Sequence, residues 1–357
     1  MRRLRVLIVD DSVVARRLIS DMILSDPALE VAGIAHHGHI ALAKIPQVTP
    51  DLITLDVDMP EMNGFETLIR LRRQYPHIPV IMLSGLTEEA AKLTLEALAL
   101  GASDYVSKPT SVGIDAMDQS HVRQELISKI KALCAKKLVA NVPADPDAGE
   151  APRLDVVVIG VSTGGPNALS NILPQIPAMF PVPILIVQHM PPLFTRFLAE
   201  RLAGQCALPV KEAVHGCKLE PGSIWIAPGD YHMVVGKAET GLQLNIHQGP
   251  PENSCRPSVD PLFRSAVECF GSHVLGVIMT GMGQDGLQGA RCIHDAGGQV
   301  IVQDEASSVV WSMPKGVVEE GIADAVVPLD QLAQDICARV DVGRRTADQG
   351  QKGELVS

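Results

Sequence analysis

Two successive α/β units, each built on a parallel doubly wound sheet, are what this sequence predicts, and three observations predict them. The chain is 357 residues long, beyond one ordinary domain. Short β-rich apolar runs alternate with segments of helical period in both halves. Between the halves, residues 141–153 (NVPADPDAGEAPR) carry almost no apolar side chains and read as a solvated linker.

The elements follow in order. Leu4–Val9 is the first strand, and Ala15, Leu18, Ile19, Met22 and Ile23 then repeat at helical spacing. Strand-like runs come at 31–35, 52–55, 79–83 and 103–106, separated by helical patterns at 40–45, 65–73 and 88–100. Val122, Leu126, Ile127, Ile130, Leu133 and Cys134 close the first half with an amphipathic helix. After the linker, strands are expected at 156–159, 184–187, 223–226, 274–279 and 299–302. Met233-Val234-Val235 and residues 242–246, flanking a Gly-bounded segment, read as a strand pair. Residues 344–357 are polar and expected to fray.

Composition narrows the function. Apolar residues make up 46% and charged ones 20%, which permits a sizeable core and excludes disorder. The 41 Asp and Glu outnumber 30 Lys and Arg, and a net charge of −11 disfavours nucleic acid or an anionic membrane as partner. The N-terminal apolar run ends in two aspartates, unlike a signal peptide, and the most apolar later stretch, 178–198, is broken by prolines, Gln188, His189 and Arg196. Seven dispersed cysteines without a C-x-x-C pair fit reduced thiols. The expectation is a cytoplasmic protein with no direct membrane insertion.

Chemistry-bearing residues sit at strand ends, where such sheets bind ligands. In the first half, Asp10 and Asp11 end one strand, Asp56 another and Ser84 a third, and Lys108 follows a fourth. Clustered carboxylates repel unless a cation sits among them, and an oxygen-only set suits Mg²⁺. A hydroxyl and an ammonium opposite would hold phosphoryl oxygens, with one aspartate accepting a phosphoryl group. Each aspartate read singly is a cap or turn former, and Asp56-Val57-Asp58 also matches an Asp-x-Asp phosphatase pair. His36, His37 and His39 read as a solvated loop.

In the second half, Gly160-Val161-Ser162-Thr163-Gly164 follows a strand and opens a helix, matching a G-x-S-x-G elbow or, equally, a capped Gly-rich turn. His189 follows the strand expected beside it. Gly281-Met282-Gly283-Gln284-Asp285-Gly286 follows a third strand and supports two readings. It spells a dinucleotide fingerprint, with Asp304 near the expected spacing, but Asp285 would stand where a pyrophosphate docks. Alternatively, a helix N-terminus keeps Asp285 ionised as the orienter of His189. Ser162, His189 and Asp285 then form a triad, with oxyanion donors near Thr163 or Met282. A catalytically dead scaffold remains the third reading.

Two resemblances sharpen this. Val9-Asp10-Asp11-Ser12, Leu55-Asp56 through Pro60 and Gly64, Leu83-Ser84-Gly85 and Gly101 through Lys108-Pro109 resemble the receiver domain of two-component response regulators. That resemblance implies a flavodoxin-like (βα)5 fold, phosphorylation at Asp56, Mg²⁺ at Asp10, Asp11 and Asp56, and phosphoryl sensing by Ser84, Lys108 and the aromatic Tyr105. Ser162-Thr163-Gly164-Gly165-Pro166, Gln188-His189-Met190-Pro191-Pro192, Arg256-Pro257-Ser258-Val259-Asp260 and Thr280 through Gly286 resemble the CheB family of chemotaxis protein-glutamate methylesterases. This implies a Rossmann-like catalytic domain with an antiparallel hairpin and no bound nucleotide. It also implies demethylation of glutamate γ-methyl esters on chemoreceptors, deamidation of receptor glutamines, and a chemotaxis histidine kinase as phosphodonor. The esterase chemistry itself would need no cofactor.

The domains expected are a receiver over 1–122, a linker over 123–152, a catalytic domain over 153–345 and a tail over 346–357. In the resting state the receiver is expected to cover the Ser162 cleft until Asp56 is phosphorylated. Two positions depart from the family pattern: Cys255, where His is frequent, and Asp58, where Glu is common. Both are expected to stand clear of the triad.

Overall fold

A computed structural model describes residues 2–85, 87–108, 116–135, 153–239 and 241–354, with side chains placed outside 116–119 and 343–354. The chain divides into two compact units, Met1–Lys136 and Lys137–Ser357.

The first unit runs β1 (Leu4–Val9), α1 (Val13–Leu24), β2 (Leu29–Ala35), α2 (Gly38–Val48), β3 (Leu52–Asp56), α3 (Gly64–Gln74), β4 (Val80–Ser84), α4 (Glu88–Ala99), β5 (Asp104–Ser107) and α5 (Ala116–Cys134). Its sheet has the order β2-β1-β3-β4-β5, and all its pairings are parallel. β3 and β4 are buried along their whole length, so they read as unbroken apolar runs rather than alternating ones. Short polar side chains start the helices: Ser12, Asn63 and Thr87 each accept a hydrogen bond from the third residue beyond. His37 does the same for α2 and pairs with Glu61 at 3.4 Å, which gives this histidine a structural role.

The boundary expected at residue 122 falls inside α5. Leu126, Ile127 and Ile130 of that helix pack into the core with Val6, Ile8, Ile19 and Ile23, so the helix belongs to the first unit. Most of the 141–153 linker lies outside the described residues.

The second unit runs β6 (Val156–Val161), α6 (Gly165–Ile172), β7 (Ile184–Gln188), α7 (Phe194–Ala203), β8 (Val210–Glu212), β9 (Cys217–Lys218), β10 (Ile224–Ile226), β11 (His232–Ala238), β12 (Gly241–His247), α8 (Val259–Phe270), β13 (Val274–Ile278), α9 (Leu287–Asp295), β14 (Gln299–Gln303), α10 (Ser312–Glu319), β15 (Ala325–Val327) and α11 (Leu329–Glu354). Seven strands form a parallel sheet, β15-β14-β13-β6-β7-β10-β8, with β6 at its centre. β11 and β12 form the expected antiparallel pair, extended by β9. Val156 and Val158 of β6 share one core with Val259, Leu262 and Phe263 of α8, with Ile293 of α9, and with Met233 and Val235 of β11. Within the terminal stretch expected to fray, α11 continues to Glu354.

Candidate functional site

In the first unit, Asp10 follows β1, Asp56 ends β3, and Lys108 follows β5, so the parallel order of the sheet brings all three to one edge. Lys108 Nζ stands 2.6 Å from Asp56 Oδ2 and 3.4 Å from Asp10 Oδ2. The other oxygens are held by backbone: Ser12 N donates to Asp10 Oδ1 at 2.8 Å and Asp58 N to Asp56 Oδ1 at 3.2 Å. Burial pushes the Asp56 carboxyl up to about 6 despite the Lys108 ammonium, and burial raises Asp10 as well. Gly64 is needed here, since a Cβ on it would come within 1.9 Å of the Asp56 carbonyl oxygen.

Asp10, Asp11 and Asp56 bring carboxylate oxygens within 4.8 Å of one another. Asp10 Oδ2 and Asp56 Oδ2 are buried and, among the described residues, face no donor besides the Lys108 ammonium. An all-oxygen set with two under-satisfied carboxylate oxygens fits Mg²⁺.

Ser84 is fully buried and accepts a hydrogen bond from Thr94 Oγ1 at 2.7 Å, while its carbonyl accepts from Lys108 N at 2.8 Å. Thr94 carried no sequence signal, because it lies mid-helix in α4. Tyr105 is buried, its ring 5.1 Å from Lys129 Nζ. Lys129 also pairs with Asp104 at 3.3 Å and Glu125 at 2.8 Å, a buried ion cluster that sequence reading missed.

In the second unit, Val161 of β6 pairs with Gln188 of β7, and the residues directly after them are Ser162 and His189. The Gln188 amide ties the two together, with Nε2 donating to the Ser162 carbonyl at 3.0 Å and to the His189 carbonyl at 3.2 Å. Gly165 makes room for that brace, since a Cβ there would lie 1.8 Å from Gln188 Oε1. The segment after β13 runs alongside, Ser162 N donating to the Thr280 carbonyl at 3.0 Å. Any Cβ on Gly281 would meet Ser162 Cβ at 2.9 Å.

Asp285 reaches His189 from this third segment, with Oδ2 2.7 Å from Nε2. Its anionic form is heavily supported. Oδ2 also accepts from Val259 N at 2.7 Å, and Oδ1 accepts from Ser258 Oγ at 2.6 Å, Asn253 Nδ2 at 2.9 Å and Gly286 N at 3.0 Å. Burial alone would raise this carboxyl, but His189 and these donors outweigh it and lower it to about 2. The helix N-terminus that stabilises it is chiefly that of α8, through Val259, rather than that of α9, which follows Asp285 in the chain.

The expectation that Cys255 stands clear of the triad is wrong: Cys255 Sγ lies 3.6 Å from His189 Nδ1. The thiol takes the imidazole nitrogen that Asp285 leaves open. Among the described residues, Ser162 Oγ makes no hydrogen bond to His189 in this state. Asn253 and Ser258 also escaped sequence reading. They reach Asp285 from 32 and 27 residues away, and local spacing carries no trace of that.

The first unit's fold and acidic edge are those of a phosphoacceptor regulatory domain, and the second unit is a hydrolytic α/β domain with Ser, His and Asp at adjacent strand ends. The profile of the CheB methylesterase family matches residues 157–336, and that of the response regulator receiver domain matches residues 6–114. A protein-glutamate methylesterase/protein-glutamine glutaminase of Trichodesmium erythraeum is 49% identical over 95% of this chain and 100% of its own length. One of the same name from Pyrococcus abyssi is 39% identical over 98% of this chain and 97% of its own. The CheB methylesterase catalytic domain of Thermotoga maritima is 43% identical, with a TM-score of 0.51, over 52% of this chain and 98% of that one. The chain belongs to the CheB methylesterase family, with a receiver domain ahead of the catalytic domain.

Proposed function

We propose that this chain is a phosphorylation-activated serine esterase acting on glutamate γ-methyl esters of chemoreceptors, and on receptor glutamines by the same chemistry. The observation that carries the reading is the 2.7 Å bond between His189 and an ionised Asp285, at the sheet edge where the next strand delivers Ser162. Asp285 holds the proton on Nε2, which leaves the Nδ1 lone pair as the base. His189 turned onto Ser162 takes its proton as Oγ attacks the ester carbonyl. The oxyanion is received by the Thr163 and Met282 amides, which among the described residues donate to no other group. His189 then returns the proton to the leaving methoxide, methanol departs, and water resolves the seryl ester by the reverse path. A glutamine side chain would release ammonia instead.

Control rests with the receiver. Asp56 would accept the phosphoryl group, with Asp10, Asp11 and Asp56 holding Mg²⁺, which supplies charge neutralisation at the phosphoryl oxygens. Lys108, 2.6 Å from Asp56 Oδ2, and Ser84 would feel the added oxygens, and Tyr105 would report their arrival. A chemotaxis histidine kinase is the phosphodonor in this reading, and the cytoplasm its compartment. Among the described residues no helix is long and apolar enough to cross a membrane.

Methanol release from a methylated chemoreceptor fragment, with Mg²⁺ and with or without a small phosphodonor, tests the whole reading. Release that rises with phosphodonor and disappears in Ser162→Ala supports it. Release that persists in Ser162→Ala overturns the nucleophile, and release indifferent to phosphodonor overturns the switch.

A further inference from the structure

Cys255, His189 and Asp285 form a line of thiol, imidazole and carboxylate, with Sγ–Nδ1 at 3.6 Å and Nε2–Oδ2 at 2.7 Å. This is the arrangement in which a base and its orienter activate a sulfur nucleophile. From these contacts we infer that Cys255 is a peroxide-sensitive modification site whose oxidation switches off the esterase by occupying the nitrogen that Ser162 needs. The inference rests on the proposed triad and adds a second input to it.

The thiol is held in place by the loop that carries it. Glu252 and Cys255 exchange backbone hydrogen bonds at 3.1 and 2.8 Å, closing a tight turn. Asn253 (φ 51°) and Ser254 (φ 62°) take left-handed backbone to make it, a conformation that side chains other than glycine adopt at a cost. Asn253 anchors the turn on Asp285 and, at 2.8 Å, on Asp260. Arg256 anchors its other side through Asp230 at 2.6 Å and the Gly249 carbonyl at 3.0 Å. Cys255 is only partly buried.

Among the described residues no other thiol makes a hydrogen bond with a histidine. Burial pushes Cys134 and Cys206 up to about 11 and raises Cys269 and Cys337, which keeps them protonated and slow to react. The 3.6 Å contact places His189 Nδ1 where it can take the thiol proton as sulfur attacks.

The reaction with a hydroperoxide balances as Cys–SH + ROOH → Cys–SOH + ROH. Sulfur attacks the outer oxygen, the O–O bond breaks, and the proton passes from sulfur through Nδ1 to the departing alkoxide. Sulfur is oxidised by two electrons and the peroxide is reduced. The new S–O group then lies against Nδ1 and denies it to Ser162. Two equivalents of a thiol reductant restore Cys–SH, with water and a disulfide of the reductant as products.

The test uses the full-length protein at pH 7 with chelator present, since the sulfur, nitrogen and oxygen of this trio lie within 4.8 Å and would also attract trace metal. Hydrogen peroxide is added with a sulfenate-trapping dione, and the label on each cysteine is read by mass spectrometry. Cys255 is expected to label at least about tenfold faster than the other six, and to lose that advantage in His189→Ala. Methanol release should fall in step with labelling and return with dithiothreitol, whereas Cys255→Ser and Cys255→Ala should keep their own starting activity under peroxide. Labelling no faster than at Cys217 or Cys292 overturns the site. Inactivation of both Cys255 variants at the wild-type rate overturns the switch. Ser162→Ala separates the two readings, because Cys255 labelling should survive there even though the esterase does not.

Discussion

His189 Nε2 and Asp285 Oδ2 stand 2.7 Å apart, and the carboxylate of that pair also caps α8 through the Val259 amide, likewise at 2.7 Å. The group proposed to orient the base is thus also a structural cap, and changing it tests catalysis and folding together.

Asp285→Asn keeps the size but loses the charge and presents an amide to Nε2. Turnover should fall by about 10³–10⁴ with KM changed far less, as when the orienting group of a triad no longer fixes the tautomer. Steady-state kinetics on the methylated receptor fragment, alongside a melting curve, would check it.

Acid stability follows from the same carboxyl. Its folded pKa, about 2, lies below the ordinary 3.8, so it stabilises the fold above pH 4 and loses that contribution as pH falls toward 2. The contribution is on the order of 2 kcal/mol. Denaturant titrations from pH 6 to pH 2 should show the wild-type catalytic unit losing more stability than Asp285→Asn.

Asp56 behaves oppositely. Its folded pKa, about 6, lies above the ordinary value, so the receiver loses stability as pH rises through 6. Asp56→Asn should raise the melting temperature of the receiver transition at pH 8 and leave it nearly unchanged at pH 4. Added Mg²⁺ should stabilise the wild type and have a much smaller effect on the variant. Calorimetry with and without Mg²⁺ decides both points.

Gly64→Ala places a methyl group 1.9 Å from the Asp56 carbonyl oxygen. The β3–α3 turn must then move, at about 2–4 kcal/mol of receiver stability, and uptake of phosphoryl groups from a small phosphodonor should drop. Denaturation and phosphorylation assays on the same sample would show whether the two losses travel together.

The sheets were legible wherever a strand was long enough to show a pattern. Leu4–Val9 has the bounds read from sequence, and the β11–β12 pair emerged from two apolar runs flanking a Gly-bounded segment. β8, β9 and β15 were missed because two or three residues carry no period. In the catalytic unit, Ser162, His189 and Asp285 stood out as polar residues at the ends of apolar strands. Their supports did not. Gln188 read only as the residue after a strand, Cys255 as a departure from the family pattern clear of the triad, and Ser258 only as part of the Arg256–Asp260 motif, while Asn253 was not singled out. Each acts across a gap that only the folded chain closes. Asp285 itself was expected to rely on the helix it precedes, whereas the α8 amides do much of that work.

The Gln188 brace has a consequence for how this enzyme is controlled. The proposed nucleophile Ser162 and base His189 are clamped through their own main chain by one buried amide between two neighbouring strands in the middle of a seven-stranded sheet. Their separation is set by the strand ladder, and pulling them apart would require tearing the middle of the sheet, an opening as rare as global unfolding. A regulatory signal of a few kcal/mol has no purchase on that spacing. Control is left to the approaches: whether a receptor side chain is admitted to Ser162, and whether the His189 ring is free to turn toward it.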